Sequence, residues 1–292
     1  MSTALLPGAP DLGAAGGSGG PGPGRSAGRA LLRSVVGAVA TMALVLGIVV
    51  LLWVAALRVF DVSTYVGKGP GEVWTILFGE DDSAELRGEI AVLLRETLVD
   101  AGIGFVAGMV SAVLLAVAVV RYRTLESAVM PVALILQTVP LIALAPLLIL
   151  LVGRGYAIVA MMSTIVVLFP ALVNIVLGLR SVTPQMRDLV LVYGGSPTTV
   201  MRKVGFPSAL PAFFASVRIA IPGAMTGALL AEWLATGKGI GYAVVSAASR
   251  SQNGRTWALV VVVTLTALLL YLVAQLVEAV VLSRFGDAAG RS

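Results

Sequence analysis

Cysteine and histidine are both absent from this chain of 292 residues. Disulfides, thiol nucleophiles and histidine metal ligands are therefore excluded. An intramembrane protease with a serine–histidine dyad and a zinc site built on H-E-x-x-H are excluded for the same reason. The composition removes these chemistries before any motif is considered.

Charged residues are also scarce. They make up 12% of the chain, whereas a soluble globular protein carries about 25%. Aromatic residues account for only 6%, so the apolar residues are mainly Leu, Val, Ala and Ile, accompanied by 33 Gly. This composition is typical of helices that lie in hydrocarbon and pack through small residues.

The apolar residues form six segments, each close to the ~20 residues that a helix needs to cross a bilayer. We therefore expect an all-α, polytopic membrane domain over residues 29–292, and a disordered cytoplasmic tail over residues 1–28, which are rich in Gly, Pro, Ala and Ser. Prolines 131, 140 and 146 either kink the third segment or contribute to a gate. The six segments are Val35–Leu57, Leu98–Val120, Ala128–Val152, Tyr156–Leu177, Pro211–Leu234 and Trp257–Leu282.

The distribution of charge predicts the orientation. Arg180–Arg218 holds five basic residues and one acidic residue (5 − 1 = +4), whereas Asp61–Glu96 holds three basic and eight acidic residues (3 − 8 = −5). Lys and Arg favour the cytoplasmic side, so we expect the loop 180–210 and both termini in the cytoplasm of a bacterial cell. Arg250 and Arg255 fall on the outer side and do not follow the rule. The same bias accounts for the net charge of +5, and we expect no nucleic-acid partner.

The loop 180–210 predicts two short helices. Thr183-Pro184 and Ser196-Pro197 each place a capping residue before a proline at the first helical position. Gly194-Gly195 is expected to end the first helix, and Gly205 with Pro207 to end the second. A structured and partly apolar surface in the cytoplasm is typical of a docking site for another protein; a plain connecting loop is the alternative.

The same loop resembles the "EAA" loop of binding-protein-dependent ABC import permeases, whose pattern is E-A-A-x3-G-x9-I-x-L-P. The stretch D-L-V-L-V-Y-G begins at Asp188 and is followed nine residues later by V-G-F-P. Leucine and valine replace the two alanines of the pattern, whereas its spacing, glycine and proline are kept. The resemblance makes these the candidate ATPase-docking residues: Asp188, Leu189, Val190, Gly194, Val204, Phe206 and Pro207.

Three further stretches resemble the nitrate/sulfonate/taurine type of these permeases: Gly69–Trp74, Thr138–Leu150, and Ala231–Trp233 with Gly239–Tyr242. The resemblance implies a type I importer (MetI-like) fold and a pathway formed by two copies of the permease. It also implies a separate ATPase that binds ATP and Mg²⁺, an extracytoplasmic binding protein, and a small anion such as a sulfonate, taurine, nitrate or bicarbonate as solute.

The chain contains no G-x-x-x-x-G-K-[ST] phosphate loop, and the glycines around Lys238 depart from that pattern. We therefore expect a non-catalytic subunit that binds no cofactor itself. Gln137, Pro140 and Glu232 are candidate residues of the translocation path, because polar groups within spans often mark such paths. A secondary transporter or channel that is not coupled to ATP is the alternative function.

Overall fold

The computed structural model describes residues 23–285, and within this range the chain is built from α-helices and two π-helical turns. This confirms the all-α expectation. The predicted tail 1–28 lies mainly outside the described residues, and its last residues belong to the first helix. The helices are α1 (Pro23–Val59), α2 (Pro70–Phe78), α3 (Ser83–Arg121), α4 (Arg123–Leu136), α5 (Leu141–Val152), α6 (Tyr156–Leu179), α7 (Pro184–Val192), α8 (Pro197–Val200), α9 (Phe206–Ala231), α10 (Gly239–Ser249) and α11 (Asn253–Phe285); the π turns are Met201–Gly205 and Glu232–Thr236.

Five continuous helical segments are long and apolar enough to cross a membrane, and the pair α4 and α5 supplies a sixth crossing if it is counted as one span. The expectation of about six spans is therefore confirmed. The five segments are Ala40–Val59, Ser83–Arg121, Tyr156–Leu179, Pro197–Thr236 and Asn253–Leu282.

The third predicted span is a pair of helices and not one continuous helix. The axes of α4 and α5 differ by 112° across residues 137–140. Pro131 and Pro146 lie inside the two helices, whereas Pro140 caps α5 with an extended ψ of 119°. A proline donates no backbone hydrogen bond and forces the preceding residue out of the helical region, so the helix ends at this proline.

The centre of the molecule consists of α3, α6 and α9, which pack through small residues. A Cβ on Gly104 would overlap Ser163 of α6, and one on Gly108 would lie 2.7 Å from the Val167 side chain. From α9, a Cβ on Gly227 would lie 2.6 Å from the Cα of the same Ser163. These glycines let the helix backbones approach closely, which is how helices gain contact energy in lipid.

Two membrane-embedded hydroxyls add hydrogen bonds to this contact. The Ser163 hydroxyl donates to the Ala224 carbonyl at 3.3 Å, and the Thr164 hydroxyl donates to the Gly104 carbonyl at 3.4 Å. The first bond joins α6 to α9, and the second joins α6 to α3. The three helices therefore form one unit around α6.

The two ends of this bundle differ in structure. One end carries the segment 180–205 between α6 and α9, and there an ion pair between Arg180 and Glu126 joins the end of α6 to the start of α4. The distal end carries α2, the turn 153–155 and α10. There the Trp257 indole donates to the Val66 carbonyl at 2.9 Å and stacks on Trp53, with ring centroids 5.3 Å apart. These contacts connect α11 to the end of α1.

Arg218 was counted with the basic segment Arg180–Arg218 and lies within α9, in agreement with the predicted fifth span Pro211–Leu234; its Nε is 3.1 Å from the Glu278 carboxylate of α11. One expectation about the loop is wrong. The second loop helix does not end at Gly205 and Pro207. It continues through the π turn into α9, because the turn closes with a bond from the Phe206 amide to the Met201 carbonyl. This wider turn lies directly before Pro207 and accommodates a proline in a continuous helix.

Replacing Gly104 with Ala should destabilise the bundle by about 1–3 kcal/mol, because the new methyl group overlaps Ser163 in a filled interface. Gly102→Ala is the matched control, since a Cβ there meets nothing within 4 Å and alanine is the better helix former. Thermal unfolding of the two purified variants in detergent measures the difference. Equal melting temperatures would contradict the close-packing account.

Candidate functional site

The loop between α6 and α9 folds as two capped helices, as the sequence predicts. We call residues 183–205 the hairpin. The Thr183 hydroxyl accepts a hydrogen bond from the Met186 amide at 3.4 Å, and the Ser196 hydroxyl accepts one from the Thr199 amide at 3.2 Å. Each cap satisfies an amide that the first helical turn would otherwise leave unpaired.

The turn between the two helices depends on a pair of glycines. The Gly194 amide donates to the Leu191 carbonyl at 3.0 Å, and the Gly195 amide donates to the Val190 carbonyl at 2.8 Å. This is the Schellman arrangement, which needs a left-handed residue at its centre. Gly194 supplies it with φ +80°. Gly195 has no room for a side chain, because a Cβ would lie 2.6 Å from the Val190 carbonyl oxygen.

The first helix of the hairpin exposes an apolar surface. Leu189 is 60% exposed and Tyr193 is 85% exposed, and Met186 and Val192 are exposed beside them. The remainder of the described chain does not cover these side chains. A hairpin held by caps and glycines therefore presents apolar groups beyond the spans.

The structure brings the seven candidate docking residues to one end of the molecule. Asp188, Leu189 and Gly194 are exposed on α7 and the turn. Val190 is half-buried and contacts the turn, while Val204, also half-buried, lies in the π turn. Phe206 and Pro207 are exposed at the start of α9. Their role in docking stays a prediction.

Gln137 and Pro140 lie at the break between α4 and α5, where both are exposed. The break borders a cavity of about 480 Å³ beside the middle of α6 and the C-terminal part of α9. Its lining is apolar except for Gln137 and Thr226, and consists of Leu136, Gln137, Val139, Leu141, Ile142, Leu144, Ile165, Val166, Phe169, Pro170, Thr226 and Leu230.

Glu232 lies apart from this break, and its contacts hold the start of α10. It belongs to the second π turn and is 0% exposed. One carboxylate oxygen accepts a hydrogen bond from the Gly241 amide at 2.8 Å. The structure does not bring Glu232 together with Gln137 and Pro140, and its predicted place in a translocation path stays a prediction.

Two residues of α3 complete the same cap on α10. The Thr97 hydroxyl accepts from the Ile240 amide at 3.0 Å, and the Glu96 carboxylate accepts from the Gly239 amide at 3.2 Å. Three successive amides of α10 are thus held by side chains from two other elements. Sequence analysis missed Glu96 and Thr97, since 143 residues separate them from their partners and no local pattern links such distant positions.

A family profile described as "Binding-protein-dependent transport system inner membrane component" matches residues 104–286, which is more than half of the chain. A probable ABC transporter permease protein of Haemophilus influenzae is 31% identical over 229 residues, which cover 78% of this chain and 91% of that protein. The match therefore extends over nearly the whole length of that relative.

Two further relatives carry more specific names. The formylaminopyrimidine transport permease protein of Halalkalibacterium halodurans is 34% identical over 51% of this chain and 60% of that protein. A putative aliphatic sulfonates transport permease protein of Bacillus subtilis is 25% identical over 61% of this chain and 64% of that protein. The names differ in solute and agree on a transport permease.

Glu232→Ala should increase hydrogen exchange at residues 239–243 by about tenfold or more, because the buried Gly241 amide loses its acceptor. Glu232→Gln keeps an acceptor oxygen and should stay close to the wild type. Glu89→Gln is the control at the same end, since it removes only an exposed ion pair with Arg255. Unchanged exchange in Glu232→Ala would show that this cap does not hold α10.

Proposed function

Because the chain belongs to the binding-protein-dependent inner membrane components of ABC importers, we propose that it forms the translocation path of an ATP-driven importer for a small anion. A sulfonate, taurine, nitrate or bicarbonate is the proposed solute, delivered by an extracytoplasmic binding protein. The sulfonate permease among the relatives supports an anion. An uncharged pyrimidine-type solute is the second candidate, favoured by the higher identity of the formylaminopyrimidine permease.

The observation that carries this proposal is the apolar surface on the capped hairpin. Leu189 and Tyr193 are large, exposed and held on a helix whose two ends are fixed. Exposed apolar groups outside the spans favour contact with another protein, and the resemblance to the EAA loop supports an ATPase subunit as that protein. ATP and Mg²⁺ are then bound by the ATPase, and this chain binds no cofactor of its own.

The continuous helix Pro197–Thr236 runs from the hairpin to the distal end, so it would transmit movements of the ATPase subunits to that end. Closure of two ATPase subunits on ATP would displace the hairpin, and the helix would carry the displacement along its length. At the far end the helix holds Glu232, and Glu232 holds α10 through the Gly241 amide. Rocking of helices around a central path is a general solution to alternating access.

Two copies of the permease would enclose the path between them. The break between α4 and α5 supports this arrangement, because non-helical backbone at membrane depth is tolerated only where protein or a water-filled cavity surrounds it. Gln137 and Pro140 are exposed at this break. A second copy and the solute path would shield them from lipid.

The proposed location is the inner membrane of a bacterial cell, with the hairpin and both termini in the cytoplasm. Removing Arg218 from the earlier charge count leaves Arg180, Arg187, Arg202 and Lys203 against Asp188, so the loop 180–210 still carries 4 − 1 = +3. This excess of basic residues favours the cytoplasmic side.

Leu189→Asp should abolish co-purification of the chain with its ATPase subunit, because a charge replaces an exposed apolar contact without disturbing the hairpin. Val66→Asp is the control, as it places the same charge on an exposed aliphatic position of the distal end. Both variants should insert into the membrane as the wild type does. Affinity capture of the tagged permease, followed by quantification of the bound ATPase, measures the effect.

Normal ATPase capture and ATP-dependent uptake by Leu189→Asp would contradict docking through the hairpin. Solute transport by the purified chain alone, driven by an ion gradient, would support the secondary transporter instead. Thermal-shift screening of the partner binding protein with sulfonates, nitrate and pyrimidines separates the two solute classes.

A further inference from the structure

The distal end carries a second cavity, of about 520 Å³, that the coupling scheme does not use. It lies between the first half of α3, the turn 153–155 and the turn that follows the second π turn. Three basic side chains from these separate elements line it: Arg95, Arg154 and Lys238. We call this the distal cavity.

The two turns present their cations in the same way. Arg154 lies between Gly153 and Gly155, whose φ values are +81° and +136°. Lys238 lies between Gly237 and Gly239, whose φ values are +69° and +71°. The Lys238 ammonium nitrogen is 6.0 Å from the centroid of the Tyr156 ring, so the two turns meet across the cavity. Side chains from distant parts of the sequence therefore converge on one space.

None of these three cations forms an ion pair with a carboxylate of the described residues. Two carboxylates also line the distal cavity, Glu96 and Asp100. Glu96 also accepts a hydrogen bond from the Gly239 amide of α10, so two carboxylates face three basic groups. The lining carries 3 − 2 = +1, and its cations keep free hydrogen-bond donors.

This basic lining contrasts with the rest of the distal end. The segment Asp61–Glu96 carries a net charge of −5. Basic residues on the outer side also oppose the topology preference of membrane proteins. The topology preference therefore does not explain why three cations converge on one cavity at an otherwise acidic end. Attraction of an anion does explain it.

We propose that the distal cavity is an anion-binding vestibule, in which Arg95, Arg154 and Lys238 attract a small oxyanion such as a sulfonate or sulfate before it enters the span region. This inference rests on the proposed import function and assigns the solute class to particular side chains. Arg and Lys supply charge-assisted hydrogen bonds to the oxyanion. Tyr156, exposed at the mouth, presents a phenol beside them.

The absence of cysteine from the chain allows a direct test of the local charge. Tyr156→Cys places a single thiol at the mouth of the cavity, where the native side chain is 72% exposed. Its rates of reaction are measured with an anionic reagent, sulfonatoethyl methanethiosulfonate, and with its cationic trimethylammonium counterpart. Tyr65→Cys is the reference, since Tyr65 is 66% exposed at the same end, where the neighbouring acidic and basic side chains are equal in number: Glu72 and Glu80, Lys68 and Arg255.

We expect the ratio of anionic to cationic rates to be about tenfold higher at position 156 than at position 65, because converging cations raise the local concentration of anions. Adding Arg154→Gln and Lys238→Gln should bring the two ratios together. Arg154→Lys with Lys238→Arg preserves both charges and should restore the difference, which separates an electrostatic role from a folding defect. Arg58→Gln removes an exposed cation outside the cavity and should leave the difference between the two rate ratios unchanged.

Inorganic sulfate and methanesulfonate, added at constant ionic strength against chloride, should slow labelling at position 156 and not at position 65. Equal rate ratios at the two positions would overturn the proposal. Protection by a co-expressed binding protein, without any protection by sulfate or methanesulfonate, would overturn it in favour of a protein-docking surface. The chain is labelled without its ATPase, so loss of ATPase capture in Leu189→Asp tests the proposed function independently of this result.

Discussion

Hydrocarbon offers no hydrogen-bond partners, and the structure is organised around this constraint. A backbone in lipid must satisfy its amides and carbonyls within the chain, which limits the spans to helices. Helices in lipid gain contact energy by close approach, and the glycines of α3 and α9 provide it against α6. The departures from regular helix are therefore informative, because each one exposes polar backbone that some other group must satisfy.

Four such departures coincide with the parts of the molecule that have a proposed role. The break at residues 137–140 borders a cavity beside α6 and α9. The first π turn lies between the hairpin and α9, and the second is followed by the turn that carries Lys238. At the start of α10, three amides are satisfied by Glu96, Thr97 and Glu232. A fold that needed only to span a membrane would not require any of these features.

The features that depend only on neighbouring residues, such as helix caps and helix ends, were predicted from the sequence. The caps at Thr183 and Ser196 and the end of the first helix before Gly194-Gly195 follow from a few adjacent residues, and all three are confirmed. Contacts between residues far apart in the chain were not predicted: Arg218 pairs with Glu278, and Glu96 and Thr97 accept hydrogen bonds from amides of α10. One local prediction also failed. The extent of α9 was misjudged because proline and glycine usually end a helix, whereas a π turn here accommodates them.

The continuity of the long helix and the positions of the glycine turns beside its two ends are consistent with mechanical coupling. From Pro197 to Thr236 the helix continues without a break. Residues with positive φ flank it at Gly194, just before it begins, and at Gly237, just after it ends. Displacement of the hairpin would therefore move the helix as one body and turn it about these two glycines. Since Glu232 lies in the last turn of this helix and holds α10, the motion would reach the distal cavity, where Lys238 and α10 begin the next segment.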